Sequence, residues 1–268
     1  FFYLVMERRT RFEHPGWPVS ELAPVLMRAC INDDLKQSSS CSYASEFIFY
    51  EIECAADLSP VPLWKTGPTD REVKRIMSPP GWLETNVVEF TDLGHLWHDP
   101  TGQTLYLWMR AHTGGTQLAC VAKVVEETDG RMHTPAVRPV LYVPCPGRHM
   151  RFHILWDERS GLYWLLFSLA TDSMRRPDEL PSERYNLPNN ERHILGLYFS
   201  LNYIDWCFAG VVARGETPQQ ARHYASMVVV GEDLLVLARS GDARTHSAHD
   251  GNSITLHKVR SFRHLVYT

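Results

Sequence analysis

Several stretches of this chain set arginine, histidine and acids beside short apolar runs, in a pattern that could do chemistry. His95 precedes one such run, and Arg110 and His112 close it. Arg151 and His153 open a second, while Arg222, His223 and Tyr224 open a third that ends on Arg239 and Asp242. Glu84 and Asn86 stand at the head of a further run, GWLETNVVEF, and Glu191 sits in the polar motif NLPNNERH. Guanidinium groups grip carboxylates through paired hydrogen bonds. Imidazoles and carboxyls hydrogen-bond hydroxyls, or move protons when their pKa is tuned. If the runs aim their ends at one pocket, it suits an anionic or polyhydroxyl ligand. Otherwise the same residues are the solvated rim of an ordinary sheet.

The elements that must carry these groups read as strands. In GHLWHDPTGQTLYLWMRAH (94–112), MRFHILWDERSGLYWLLFSLA (150–170) and ARHYASMVVVGEDLLVLARSGDA (221–243), a polar start leads into an apolar segment, a turn and a second apolar segment. Asp-Pro-Thr-Gly, Asp-Glu-Arg-Ser-Gly and Gly-Glu-Asp are turn chemistry for hairpins. A third strand follows each pair, in QLACVAKVVEE, HILGLYFSLNYIDW and NSITLHKVRSF, and a fourth in PVLYVP, CFAGVVA and HLVY. FFYLVMERRT reads as a strand already in progress, and it offers Glu7, Arg8 and Arg9. PTDREVKRIM has the best helical periodicity, for one or two turns. Thr171 to Arg192, rich in Pro, Asn and charge, reads as a long loop.

Units of four strands, recurring roughly every 60–70 residues with few helices, predict an all-β chain, a β-propeller of four-stranded blades. At about 50 residues per blade the length gives five blades, with six as the alternative, in a single domain over residues 1–268. A β-sandwich is the competing architecture.

The 268 residues carry a net charge of -4, which provides no basic surface for nucleic acid and no polybasic membrane patch. No segment is long and apolar enough to span a membrane. The six cysteines form no C-x-x-C pair, so they read as buried thiols, with a Cys30–Cys41 or Cys30–Cys54 disulfide the alternative. The histidines lack a tight ligand spacing, so no metal and no cofactor is expected. No signal peptide is visible, and the absence of an initial Met suggests that the natural N-terminus is missing.

ETNVVEFTDLGHLWHDPTGQTLYLWMR and HYASMVVVGEDLLVLARSGD resemble the sialidase-like, BNR-repeat β-propellers, and more loosely the five-bladed glycosidase propellers. FSLNYIDWCFAG is similar to a degraded Asp-box, with Ser200, Asn202 and Trp206 in order but the glycine absent. ARTHSAHDGNSITLHKVRSFRHLVY resembles the closing blade of bacterial members. The resemblance covers roughly residues 80–268, and the family's Phe/Tyr-Arg-Ile-Pro opening motif is not present.

The resemblance implies an exo-acting glycoside hydrolase on a terminal, acidic sugar, in a secreted or periplasmic setting. Tyr224 matches the family's Tyr nucleophile and Glu84 its base. Arg110, Arg222 and Arg239 match its three carboxylate-binding arginines, with Arg151 as a substitute. Asp242 or Glu191 would be the general acid, and His95, His153 and His223 would bind sugar hydroxyls. Trp82, Trp97 or Trp164 could stack on a sugar ring. Without a Tyr nucleophile, Glu84 with Glu191 or Asp242 is the carboxyl pair to consider. A carbohydrate-binding propeller without catalysis and a protein-interaction scaffold are the other two readings.

Overall fold

The computed structural model describes residues 1–13, 21–46, 81–112, 118–127, 132–133, 140–147, 150–171 and 191–267. The PTDREVKRIM stretch, Cys54 and nearly all of the long polar loop lie outside them. The described residues are mostly strand, arranged in four antiparallel sheets. The chain divides into two compact units. Phe1–Thr69, Ile76–Gly114 and Ala119–Val143 form the first, and Asp70–Arg75, Gly115–Leu118 and Pro144–Thr268 the second.

In the first unit, β1 (Phe2–Arg9), β2 (Leu22–Ala29) and β3 (Cys41–Glu46) form one sheet. The other is built from β4 (Gly81–Val88), β5 (Thr104–His112), β6 (Leu118–Glu126) and β7 (Met132–His133), with β8 (Val140–Pro144) also paired to β6. Alternation on β5 sends Leu105, Leu107, Met109 and Ala111 into a core with Leu26, Trp82, Cys120, Ala122 and Val124. Thr104, Tyr106, Trp108 and Arg110 therefore share the opposite face.

In the second unit, β9 (His153–Asp157), β10 (Leu162–Ser168), β11 (Ile194–Ser200) and β12 (Cys207–Arg214) form a four-stranded sheet. A three-stranded sheet holds β13 (Arg222–Val230), β14 (Asp233–Ser240) and β15 (Ser253–Val259). Strand β10 is buried along its whole length, as a strand covered on both faces must be. Leu162, Trp164 and Leu166 share one core with Leu195, Leu197, Met227, Leu234 and Val236.

The two tight hairpins fall where the turn residues place them. Asp157 accepts from the Ser160 and Gly161 amides between β9 and β10, and Gly231 turns β13 into β14 at φ 62°. The Ser200–Asn202 motif is an ordered turn, in which Asn202 Oδ1 accepts from the amides of Ile204 and Asp205.

Two expected strands are absent. His95 to His98 lies in the connection between β4 and β5, where Asp92 accepts from the Gly94 and His95 amides before it and Asp99 from the Thr101 and Gly102 amides after it, so both flanks turn. Phe262–Leu265, at the start of the expected HLVY strand, is a 3-10 turn with Phe262 buried. Cys30, Cys41, Cys120, Cys145 and Cys207 are free thiols, so the Cys30–Cys41 disulfide does not form. Of these, only Cys120 and Cys145 are buried.

Candidate active site

Both units carry the same backbone device. On β4, Leu83 pairs with Arg110 and Asn86 with Trp108, so Glu84 and Thr85 bulge out of register. On β13, His223 pairs with Arg239 and Ser226 with Leu237, so Tyr224 and Ala225 do the same. Glu84 has φ 56° and Tyr224 φ 48°, left-handed conformations that cost a residue with a β-carbon roughly 1–2 kcal/mol. Bulges re-aim side chains, and strain of this kind persists where surrounding contacts hold it. In each unit the strained residue has chemical capability, and an arginine pairs with the residue before it.

In the first unit the device gathers two carboxyls and a guanidinium. Arg110, 7% exposed, donates from Nη1 to Glu84 Oε2 at 2.7 Å. The Glu84 amide donates to Glu7 Oε1 at 2.7 Å, joining residues 77 apart in sequence. Glu7 Oε2 and Arg110 Nε are buried and have no hydrogen-bond partner. Burial, and behind it the charge of Glu84, push the Glu7 carboxyl up to about 7, against the pull of the Glu84 and Thr85 amides. The two acids thus differ in surroundings. Glu84 is paired to a cation, while Glu7 is suited to hold a proton at neutral pH. His95, also in this unit, stacks on Phe90 with ring centroids 3.9 Å apart and accepts from the Trp97 amide, both contacts that fix the β4–β5 connection.

In the second unit the device sits in a cationic cluster. Arg192, 3% exposed, donates from Nη1 to His223 Nδ1 at 3.0 Å and from Nη2 to His249 Nε2 at 2.9 Å. A guanidinium can only donate, so the Nδ1 that receives its proton holds the lone pair. The hydrogen of neutral His223 is then on Nε2, a buried atom without a partner. Burial first, then Arg192, depress His223 to about 3. Tyr224 packs edge-on against His223 at 4.7 Å, and Arg192 lies 5.6 Å from the centre of its ring.

Most of the remaining expected residues have contacts within the fold. Arg222 donates from Nη1 to the carbonyls of Ala221 and Gly241, at 2.7 and 2.8 Å, and so ties two chain segments together. Arg239 is exposed and donates to the His249 carbonyl. Asp242 accepts from Arg244 and Asn252, which hold it far below the usual carboxylate range, so it carries no proton to give. Glu191 is buried and accepts from the Thr171 amide and hydroxyl at 2.9 and 3.0 Å. His153 Nδ1 accepts from the Met227 amide at 3.3 Å, and Arg151 is exposed. Trp82 and Trp164 are fully buried, so only Trp97 of the three is open to a ligand. Arg192 and the role of Glu7 were not legible in sequence. The signal for Arg192 was only its place beside Glu191, and that for Glu7 an acid on the strand face it shares with Tyr3, Val5 and Arg9.

No protein-family model matches the sequence, and no curated protein matches it. Among solved structures, an inulosucrase from Halalkalicoccus jeotgali bound to kestose is similar at 19% identity, covering 62% of this chain and 46% of its own, with a TM-score of 0.38. A levansucrase from Gluconacetobacter diazotrophicus is similar at 9% identity, over 96% of this chain and 58% of its own, with a TM-score of 0.46. A Trypanosoma rangeli sialidase in complex with sialic acid is similar at 10% identity, over 97% of this chain and 42% of its own, with a TM-score of 0.32. The chain spans about half the length of these enzymes.

Proposed function

We propose that this protein is an exo-acting glycoside hydrolase on a propeller scaffold, which cleaves a terminal sugar. The observation that carries this reading is the Glu7–Glu84–Arg110 group. Glycoside cleavage needs one carboxyl that brings a proton to the leaving oxygen and one that stays ionised to meet positive charge on the sugar. Glu7, desolvated and pushed up to about 7, suits the first role, and Glu84, paired with Arg110, suits the second. Asp242 and Glu191 do not suit the acid role, since the first is held ionised and the second is taken up by Thr171.

A second reading, with Tyr224 as nucleophile, is favoured by its strained backbone and the guanidinium over its ring. The cations of that unit favour an acidic sugar there.

Hydrolysis of a panel of aryl glycosides, with a sialoside and uronides included, tests both readings. Turnover that falls by about 100-fold or more in Glu7→Gln and Glu84→Gln, but little in Tyr224→Phe, supports the carboxyl pair. The reverse pattern supports the tyrosine. Saturable sugar binding without turnover on any substrate would refute catalysis and leave a carbohydrate-binding protein.

A further inference from the structure

The first unit also holds a cavity of about 600 Å³ that the chemistry above does not use. It lies on the face of the sheet shared by Tyr106 and, across from it, Lys123. Cavities of this size take small organic ligands. Tyr106 precedes Arg110 by four residues on β5, which sets the two roughly 13 Å apart along the strand.

The polar groups of the cavity narrow the choice of ligand. His98 Nδ1 lies 2.7 Å from the Phe90 carbonyl, which can only accept, so Nδ1 carries hydrogen. Nε2 is buried and has no hydrogen-bond partner. Lys123 brings a positive charge and makes no ion pair among the described residues. Asp99 brings a negative one. Hydrogen bonds from Thr104 and Thr101 hold its carboxyl down at about 2, and they engage both of its oxygens. The two formal charges cancel, so the cavity has no net preference for an ionic ligand.

The apolar groups supply the shape. Trp97 and Tyr106 stack with centroids 5.2 Å apart, and Phe90 meets both rings edge-on. The Tyr106 hydroxyl donates to the Trp97 carbonyl at 3.2 Å, which fixes the indole on its loop. Leu96, 92% exposed, and Leu141, 50% exposed, form an apolar rim. Aromatic rings and one ammonium donor match a ring with an apolar face and hydroxyl edges.

We propose that this cavity is a binding site for a neutral sugar ring, separate from the Glu7–Glu84–Arg110 group. The proposal does not require that the protein hydrolyse anything.

Calorimetry on the whole chain with the methyl glycosides of glucose, galactose and mannose tests it, with methyl glucuronide as the acidic control. The expected result is saturable binding of at least one neutral glycoside, and weaker binding of the glucuronide. Leu96→Arg fills the rim from an exposed position at no cost to packing, and should weaken binding tenfold or more. Lys123→Met should weaken it severalfold, while Glu84→Gln should leave it unchanged. No saturable binding of any neutral glycoside would overturn the proposal, as would binding indifferent to Leu96→Arg or tighter binding of the glucuronide. Binding lost in Glu84→Gln would also overturn it, by placing the sugar at the carboxyl group instead. Failure of the hydrolase reading shows separately, as absent turnover on the aryl glycosides.

Discussion

Replacing Glu7 by Gln should change how stability depends on pH more than stability itself at acid pH. The native carboxyl titrates at about 7, against 4.5 when exposed to water. Because the folded value is the higher one, the native state binds the proton more tightly. The stabilisation is fully present below about pH 4.5 and is lost as pH rises through about 7. Between pH 5 and pH 8 this single group should remove roughly 2–3 kcal/mol of stability from the wild-type protein. Gln mimics the protonated acid and keeps an oxygen for the Glu84 amide, but it cannot ionise. Urea unfolding of both proteins at pH 5, 6, 7 and 8 gives the difference directly. The two should be close at pH 5, with Glu7→Gln the more stable at pH 8. Parallel pH profiles would show that the Glu7 carboxyl is not desolvated, and would remove the basis for its role as proton donor. In the hydrolase reading the same variant also loses the basic limb of the activity profile near pH 7.

Gly147→Ala should cost about 2–4 kcal/mol by thermal or urea unfolding, because a β-carbon there overlaps the Phe167 ring and the residue sits at φ 73°. Arg263→Met should lower the urea midpoint at neutral pH, because it takes from Asp157, only 5% exposed, the two hydrogen bonds of 2.7 and 2.8 Å that Arg263 donates. Arg263 depresses the Asp157 pKa, so that contribution is present above the usual Asp value and fades as pH falls through the native one. The deficit should therefore shrink in acid. The imidazole of His223 should not titrate between pH 5 and pH 8 by NMR, since burial and Arg192 hold it at about 3; a midpoint near the usual value would refute the donor assignment from Arg192.

Local patterns were legible where the partner residues are near in sequence. The Ser160-Gly161 and Gly231-Glu232 turns and the alternation of β13 and β14 depend on residues a few positions apart, and they fold as the sequence suggests. The stretch His95 to His98 misled because two apolar residues, Leu96 and Trp97, between histidines look like a strand, while the two flanking aspartates decide for turns. For Arg222 the sequence records the charge, but not the Ala221 and Gly241 carbonyls that its Nη1 meets.

The sequence by itself determined the class of the chain. Periodicity, turn residues and aromatic content commit it to antiparallel β structure, and they concentrate Arg, His and acids near strand ends. Only tertiary structure decided which of those groups are available for chemistry. Glu7 meets Glu84 through the packing of two sheets, and Arg192 meets His223 and His249 across three separate segments. Burial and hydrogen bonding set the proton affinity of each group, and both depend on contacts between residues far apart in the chain.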